Sequence, residues 1–181
     1  MTAFEFVFSF FGLVLGLSVA EILTGFARVL REHGRIRLGW LTPLLGVILL
    51  TDLIVFWTNA WAIRDSLPAS FAVLGFGMMI AGVYYLAASL VFPVSAGEWP
   101  NLDHHFMRNK ALVIGGVIVA NWLVTLGEAL LFGNRMGSWF EVAGPLILTV
   151  PGLVLIVAKD PRLCLAAEVV ILALYALNQL T

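Results

Sequence analysis

Residues 66–97 read SLPASFAVLGFGMMIAGVYYLAASLVFPVSAG and contain no Asp, Glu, Lys or Arg. A helix that crosses a lipid bilayer needs only about 20 largely apolar residues, so this stretch alone is long enough to span a membrane. The whole chain of 181 residues has the same character, since 61% of its residues are hydrophobic and 12% are charged. Soluble domains have about 45–50% apolar and about 25% charged residues. The sequence therefore excludes a soluble domain and predicts a protein that crosses the bilayer several times.

Charged residues and turn residues divide the chain into six apolar segments of spanning length. The predicted spans cover residues 4–27, 41–63, 70–93, 111–133, 138–158 and 162–180. The connections between them are too short to form a domain outside the membrane. We therefore predict an all-α fold, with residues 1–181 forming a single transmembrane helical bundle.

Basic residues are concentrated on one side of the six predicted spans. Lys and Arg in short loops are retained on the cytoplasmic side of a membrane. One side receives only Arg64 and Arg135. The other side receives eight basic residues, namely Arg28, Arg31, Arg35, Arg37, Arg108, Lys110, Lys159 and Arg162. This asymmetry predicts that both termini lie outside, which in a bacterial cell means an inner-membrane protein with both termini in the periplasm.

Acidic residues inside the predicted spans are the main candidates for chemistry. A carboxylate at the bilayer centre costs roughly 2.5–3.5 kcal/mol on insertion scales, so such residues face the bundle interior and often mark ion or proton paths. Four acids fall in four different predicted spans, and they are Glu21, Asp52, Glu128 and Glu168. No Lys, Arg or His is expected deep in any span. Each acid is therefore expected to be protonated, to bind a cation or to contact water.

Polar residues seven positions apart lie on nearly one face of a helix, and four predicted spans contain such a pair. The pairs are Glu21 with Arg28, Asp52 with Asn59, Asn121 with Glu128, and Glu168 with Tyr175. Together they predict a polar ladder across the membrane, which is typical of a proton or cation path. The predicted path residues are Glu21, Asp52, Glu168, Asn121 and Glu128. The same side chains can instead join helices by hydrogen bonds of about 0.6 kcal/mol each, so both interpretations stay open.

Small residues recur every four positions in the first span, at Gly12, Gly16 and Ala20. Such a ridge lets another helix approach closely. We therefore predict that a neighbouring helix packs there, contributed either by the same chain or by a second copy.

Several classes of function are excluded or disfavoured by composition. Cys164 is the single cysteine, so one chain cannot build a disulfide, an iron–sulfur cluster or a cysteine-based zinc site. We expect no metal and no cofactor. A net charge of -1 is unlike the basic surface that nucleic-acid binding requires, so no nucleic-acid partner is expected. An enzyme is not expected either, because no nucleophile with a positioned base is evident.

Several short stretches carry a resemblance to a known group of proteins. They are EFV at residues 5–7, GLSVAE at 16–21, YYLAAS at 84–89 and LDHHF at 102–106. In these the chain resembles small, functionally uncharacterised multi-pass membrane proteins of proteobacteria. The resemblance implies a bacterial membrane setting, but it implies no particular activity and no site residues.

Two functions from different classes are consistent with these patterns. The first is a channel or transporter-like subunit that handles protons or small cations through its interior carboxyl groups. The second is a non-transporting accessory or scaffold subunit of a larger membrane complex. In both cases the expected partners are the lipid bilayer and either further copies of the chain in a homo-oligomer or a membrane partner subunit.

Overall fold

The protein folds as a helical bundle. The computed structural model describes residues 3–32, 39–68, 70–95, 99, 101–132 and 139–180. Within these ranges the chain forms a short 3-10 turn at Arg64–Ser66 and no β-strand. The α-helices found there are α1 (Ala3–Glu32), α2 (Leu41–Ala62), α3 (Phe71–Val91), α4 (Leu102–Phe132), α5 (Trp139–Val157) and α6 (Pro161–Leu180). The predicted all-α class is confirmed.

Most of these helices have the length and composition of membrane spans. In the described part of the chain, α1, α2, α3, α4 and α6 are each long and apolar enough to cross a bilayer. The described apolar part of α5, Pro145–Val157, is shorter. The chain thus has the architecture of a multi-pass membrane protein, while the side of the membrane that each helix end faces stays a prediction.

Some predicted positions lie outside the described residues. These are the span ends at Gly133 and Ser138 and three of the basic residues that indicate orientation, Arg35, Arg37 and Arg135.

Local sequence signals explain where two of the helices begin. The Ser70 hydroxyl accepts a hydrogen bond from the backbone N–H of Val73 at 3.3 Å and caps α3. At the start of α6, the Asp160 carboxylate accepts from the backbone N–H of Arg162 at 2.9 Å. Pro161 occupies the first helical position, where a missing N–H is tolerated.

Helix α2 lies at the centre of the bundle and contacts α1, α3, α4 and α6. The Thr42 hydroxyl donates to the Leu102 carbonyl at 2.9 Å, so the N-terminal ends of α2 and α4 meet. Farther along, Asp52 of α2 meets Asn121 of α4. Helices α2 and α4 therefore run in the same direction, as expected when successive helices cross in alternating directions.

Helix α4 begins at Leu102, whereas the corresponding predicted span begins at Ala111. The prediction used charged residues as boundaries, but Lys110 lies within the helix and is only 4% exposed. His105 is also buried, with Nε2 at 3.1 Å from the Leu90 carbonyl. The helix therefore begins before the predicted span, and Lys110 is buried against neighbouring helices rather than exposed in a loop.

The predicted small-residue ridge on α1 is contacted within the chain at Gly12, which lies against the edge of the Trp57 ring. Gly16 has no described neighbour within 4 Å of the position of an added Cβ, and Ala20 is exposed. The buried face of α1 is a different one. It repeats at spacings of three and four and consists of Leu15, Ser18, Ile22, Gly25 and Val29. Packing of another copy on Gly16 and Ala20 stays a prediction.

Two glycines of α1 are expected to respond in opposite ways to replacement by alanine. A Cβ at Gly25 would overlap both the ring and the Cβ of the buried Phe92, and such overpacking costs about 1–3 kcal/mol. A Cβ at Gly16 meets open space, so Gly16→Ala is expected to stabilise the helix by about 0.5–1 kcal/mol. Unfolding of both variants in mixed micelles tests this. Equal stability of the two variants would contradict the placement of α1.

Candidate functional site

Four helices converge on one buried carboxyl group, that of Asp52. The Tyr84 hydroxyl of α3 donates to Asp52 Oδ2 at 2.7 Å, and the Tyr175 hydroxyl of α6 donates to Oδ1 at 2.5 Å. Asn121 Nδ2 of α4 lies 3.2 Å from Oδ1 and 3.1 Å from Oδ2. We call these four residues the Asp52 cluster. Because both carboxyl oxygens have donors, the cluster joins α2, α3, α4 and α6.

The residue types of the Asp52 cluster explain why it forms in an apolar interior. Tyr84 and Tyr175 are 1% and 4% exposed, and a buried tyrosine hydroxyl needs a hydrogen-bond partner. Asn121 Nδ2 additionally lies 3.0 Å from the Val117 carbonyl of its own helix, which fixes the amide in place. The Asp52 carboxyl supplies the acceptors that the two hydroxyls lack. Polar groups of this kind stabilise a packing only when all of them are paired.

The carboxyl group of Glu168 on α6 differs from that of Asp52, because it is buried without a described hydrogen-bond donor. Its side chain is 0% exposed, and among the described residues neither Oε1 nor Oε2 has a hydrogen-bond partner. It lies seven residues, or about 10 Å along the helix, before Tyr175. Buried polar atoms are nearly always paired, so an unpaired carboxyl group requires an explanation.

Lys110 of α4 reaches the turn of α6 that precedes this acid. Its ammonium group donates to the Ala158 carbonyl and to Cys164 Sγ at 3.3 Å. Cys164 precedes Glu168 by one turn of α6. A cation at this place stabilises the C-terminal end of α5, where backbone carbonyls lack helical partners. Lys110 and Asp103 are charged groups that interact electrostatically with Glu168. We call Lys110, Ala158, Cys164 and Glu168 the Glu168 site.

Two predicted path residues lie outside both groups. Glu21 is half-buried on α1, and it does not join the Asp52 cluster. Glu128 is half-buried on α4 and lines a cavity together with Asn59 of α2. Glu128 follows Asn121 by seven residues, so this cavity lies about 10 Å beyond the Asp52 cluster along α4.

The polar residues of the interior thus lie in three layers along α2, α4 and α6. Counted from the N-terminal ends of these helices, the Glu168 site forms the first layer and the Asp52 cluster the second. Asn59 and Glu128 form the third. The described residues contain no group of three or more His, Cys, Asp or Glu that could hold a metal ion.

Sequence reasoning found part of this arrangement. It predicted Asp52 and Asn121 as members of one polar ladder, and the structure joins them directly. It missed Tyr84, because a tyrosine in an apolar helix has no partner at helical spacing. The requirement of a buried hydroxyl for a partner is the signal that could have found it. It also missed Lys110, whose long apolar stem allows burial beside a carbonyl.

Comparison with known proteins gives no match, since no family model, curated protein or solved structure aligns significantly with this chain. The class of the protein is therefore defined by its fold. It is a multi-pass helical membrane protein with polar groups buried between its helices.

Proposed function

We propose that this protein is a channel or transporter-like membrane subunit that moves protons along the interior of its bundle, with Glu168 as the group that takes up and releases them. The observation that carries the proposal is the complete burial of a Glu168 carboxyl group that has no partner among the described residues. An acid in this situation is stabilised by binding a proton or a cation.

A proton is the simplest partner for the Glu168 carboxyl group. Asp103 contributes a negative charge and Lys110 a positive charge to its surroundings, so the nearby charges do not select a metal cation. A proton neutralises the carboxyl group without adding a new ion. The separation of about 10 Å between successive layers exceeds a hydrogen bond, so transfer between them runs through water molecules.

We further propose the cellular setting that the sequence indicates. The chain lies in a bacterial inner membrane, with both termini on the periplasmic side. This orientation rests on the eight basic residues on one predicted side and the two on the other.

Replacing Glu168 with glutamine is expected to lower proton flux at least tenfold. Glutamine keeps the shape of the side chain but cannot exchange a proton at neutral pH. Flux is measured in liposomes that contain a pH-sensitive dye, driven by a potassium gradient and valinomycin, with a parallel assay for monovalent cations. Asp65→Asn is the matched control, because it removes one acid at a side chain that is 85% exposed.

The outcomes distinguish proton transport through Glu168 from transport without Glu168 and from transport of a small cation. Unchanged proton flux in folded Glu168→Gln would remove Glu168 from the mechanism. Cation flux that depends on Glu168 would replace the proton by a small cation.

The second candidate is an accessory or scaffold subunit that transports nothing. The observation that favours it is the complete pairing of Asp52, since a carboxyl group with donors on both oxygens serves as a helix contact. Absence of flux from the wild-type chain, together with co-purification of a stoichiometric membrane partner, would support this alternative.

A further inference from the structure

The N-terminal ends of α2, α4 and α6 meet at one end of the bundle. The Thr42 hydroxyl donates to the Leu102 carbonyl and joins α2 to α4. Two side chains join α4 to α6, because Met107 Sδ lies 3.9 Å and Lys110 Nζ 3.3 Å from Cys164 Sγ. The face of α4 that carries Met107 and Lys110 is therefore directed toward the beginning of α6.

Asp103 lies on the same face of α4, one turn before Met107 and two turns before Lys110. It belongs to the first turn of the helix and is half-buried, so water reaches it. Its Oδ1 accepts from the backbone N–H of Leu41 at 3.4 Å. A Cβ at Gly39 would overlap the Asp103 carboxylate, so the lack of a side chain at this glycine leaves room for the acid. Contacts from the start of α2 thus fix the Asp103 carboxylate in place.

Asp103 is electrostatically connected to Glu168. Of the charged groups in the described ranges, Asp103 and Lys110 interact with the Glu168 carboxyl group. Side chains of a helix point back toward its N-terminus, so the Glu168 side chain is directed to the end of the bundle at which Asp103 lies. Because Glu168 is 0% exposed, it needs another group to exchange protons with water. Asp103 has the exposure and the position for this role.

Three other titratable side chains at this end are placed differently. His105 Nε2 lies 3.1 Å from a backbone carbonyl of α3. The exposed His104 ring packs against the Trp99 ring, with centroids 5.6 Å apart. Asp160 is exposed, and its carboxylate accepts the backbone N–H of Arg162. In the part of the chain that the structure describes, none of the three is among the charged groups that act on Glu168.

We propose that Asp103 is the group through which protons from water reach Glu168. The inference rests on the proposed function of Glu168 and names the entrance to that site. The Asp103 carboxylate accepts a proton from water and forms an O–H bond. That bond breaks when the proton passes through intervening water molecules to the Glu168 carboxylate, and Asp103 returns to its ionised form. Chains of acidic side chains serve as proton relays in membrane pumps and transporters.

Asp103→Asn in the full chain is expected to lower proton flux about tenfold, since a positioned acid is a better proton donor than water alone. Asparagine keeps the oxygen that accepts the Leu41 N–H, so the start of α2 keeps its contact. Flux is measured in the same liposomes with an internal pH-sensitive dye and valinomycin. Asp160→Asn is the matched control, because it removes an acid that accepts a backbone N–H at the same end of the bundle. Its flux is expected to equal that of the wild type.

A mobile proton donor separates proton delivery from a purely structural role. The membrane-impermeant buffer MES, added outside the liposomes at constant pH, brings protons to the entrance. Rising MES concentration is expected to restore most of the lost flux in Asp103→Asn and to leave the wild type and Glu168→Gln unchanged. If Asp103→Asn does not fold, Asp103→Ser takes its place, because its hydroxyl can also accept the Leu41 N–H.

Three results would overturn the role of Asp103. These are unchanged flux in Asp103→Asn, a loss that MES does not restore, and an equal loss in Asp160→Asn. A loss that MES does not restore would mean that Asp103 only holds the start of α2. In all three cases the loss of flux in Glu168→Gln remains, so the Glu168 proposal stands. Unchanged flux in Glu168→Gln, or no flux from the wild-type chain, would overturn both proposals together.

Discussion

Replacing Asp52 with leucine is expected to destabilise the bundle by about 2–6 kcal/mol. The change leaves the hydroxyls of Tyr84 and Tyr175 without their acceptor, and each buried unpaired group costs about 1–3 kcal/mol. Asn121 is affected less, because it keeps the Val117 carbonyl as a partner. The free energy of unfolding, measured by SDS titration in mixed micelles, tests this expectation.

Further variants separate the loss of hydrogen bonds from the change in shape. Asp52→Asn retains one acceptor oxygen and offers an N–H to a tyrosine hydroxyl, so it is expected to cost less than leucine. Adding Tyr84→Phe and Tyr175→Phe to Asp52→Leu removes the unpaired donors and is expected to restore part of the lost stability. A single Asp52→Leu variant within 0.5 kcal/mol of the wild type would mean that the cluster does not hold the helices together.

Lys110→Met is expected to produce the second large loss of stability, about 1–3 kcal/mol. Methionine preserves most of the apolar stem but removes the donor that the Ala158 carbonyl uses, and an unpaired buried carbonyl accounts for that range. The same SDS titration measures the effect, with Lys159→Met as control because Lys159 is exposed.

A double-mutant cycle between Lys110 and Glu168 isolates their interaction. Neighbouring residues that interact show coupling energies of about 0.5–3 kcal/mol. We expect Glu168→Leu to cost less in the Lys110→Met background than in the wild type, because an acid without its countercharge is itself unfavourable. Additive effects of the two changes would show that the pair is not coupled. Equal stability of Lys110→Met and Lys159→Met would contradict the predicted contribution of the Lys110 ammonium group to stability.

Helix packing decides which part of the predicted ridge on α1 is contacted inside the chain, and Gly12 is the member that is contacted. Gly16 and Ala20 are small, and small residues permit close approach without requiring it. Close packing of α1 requires glycine at position 25, because Phe92 occupies the space that a side chain would need. Only the position of the partner ring distinguishes the two glycines.

The sequence by itself determined the class of protein and the all-α architecture. Both follow from local properties, since about 20 consecutive apolar residues must bury their backbone polar groups in helices when they enter lipid. It also identified Asp52, Asn121 and Glu168 as interior polar groups, because a polar residue within an apolar segment can be recognised from the sequence alone. Their role in a proton or cation path stays a prediction.

Only the tertiary structure decided which polar groups meet. Asp52 is paired by Tyr84 and Tyr175, which lie 32 and 123 residues away in the chain, whereas Glu168 has no described hydrogen-bond partner. The burial of Lys110 depended on the neighbouring end of α5, whose carbonyl accepts its ammonium group. Such pairings depend on the rotation and depth of each helix relative to the others. Those quantities are set by packing across several helices, and no helical period within one segment encodes them.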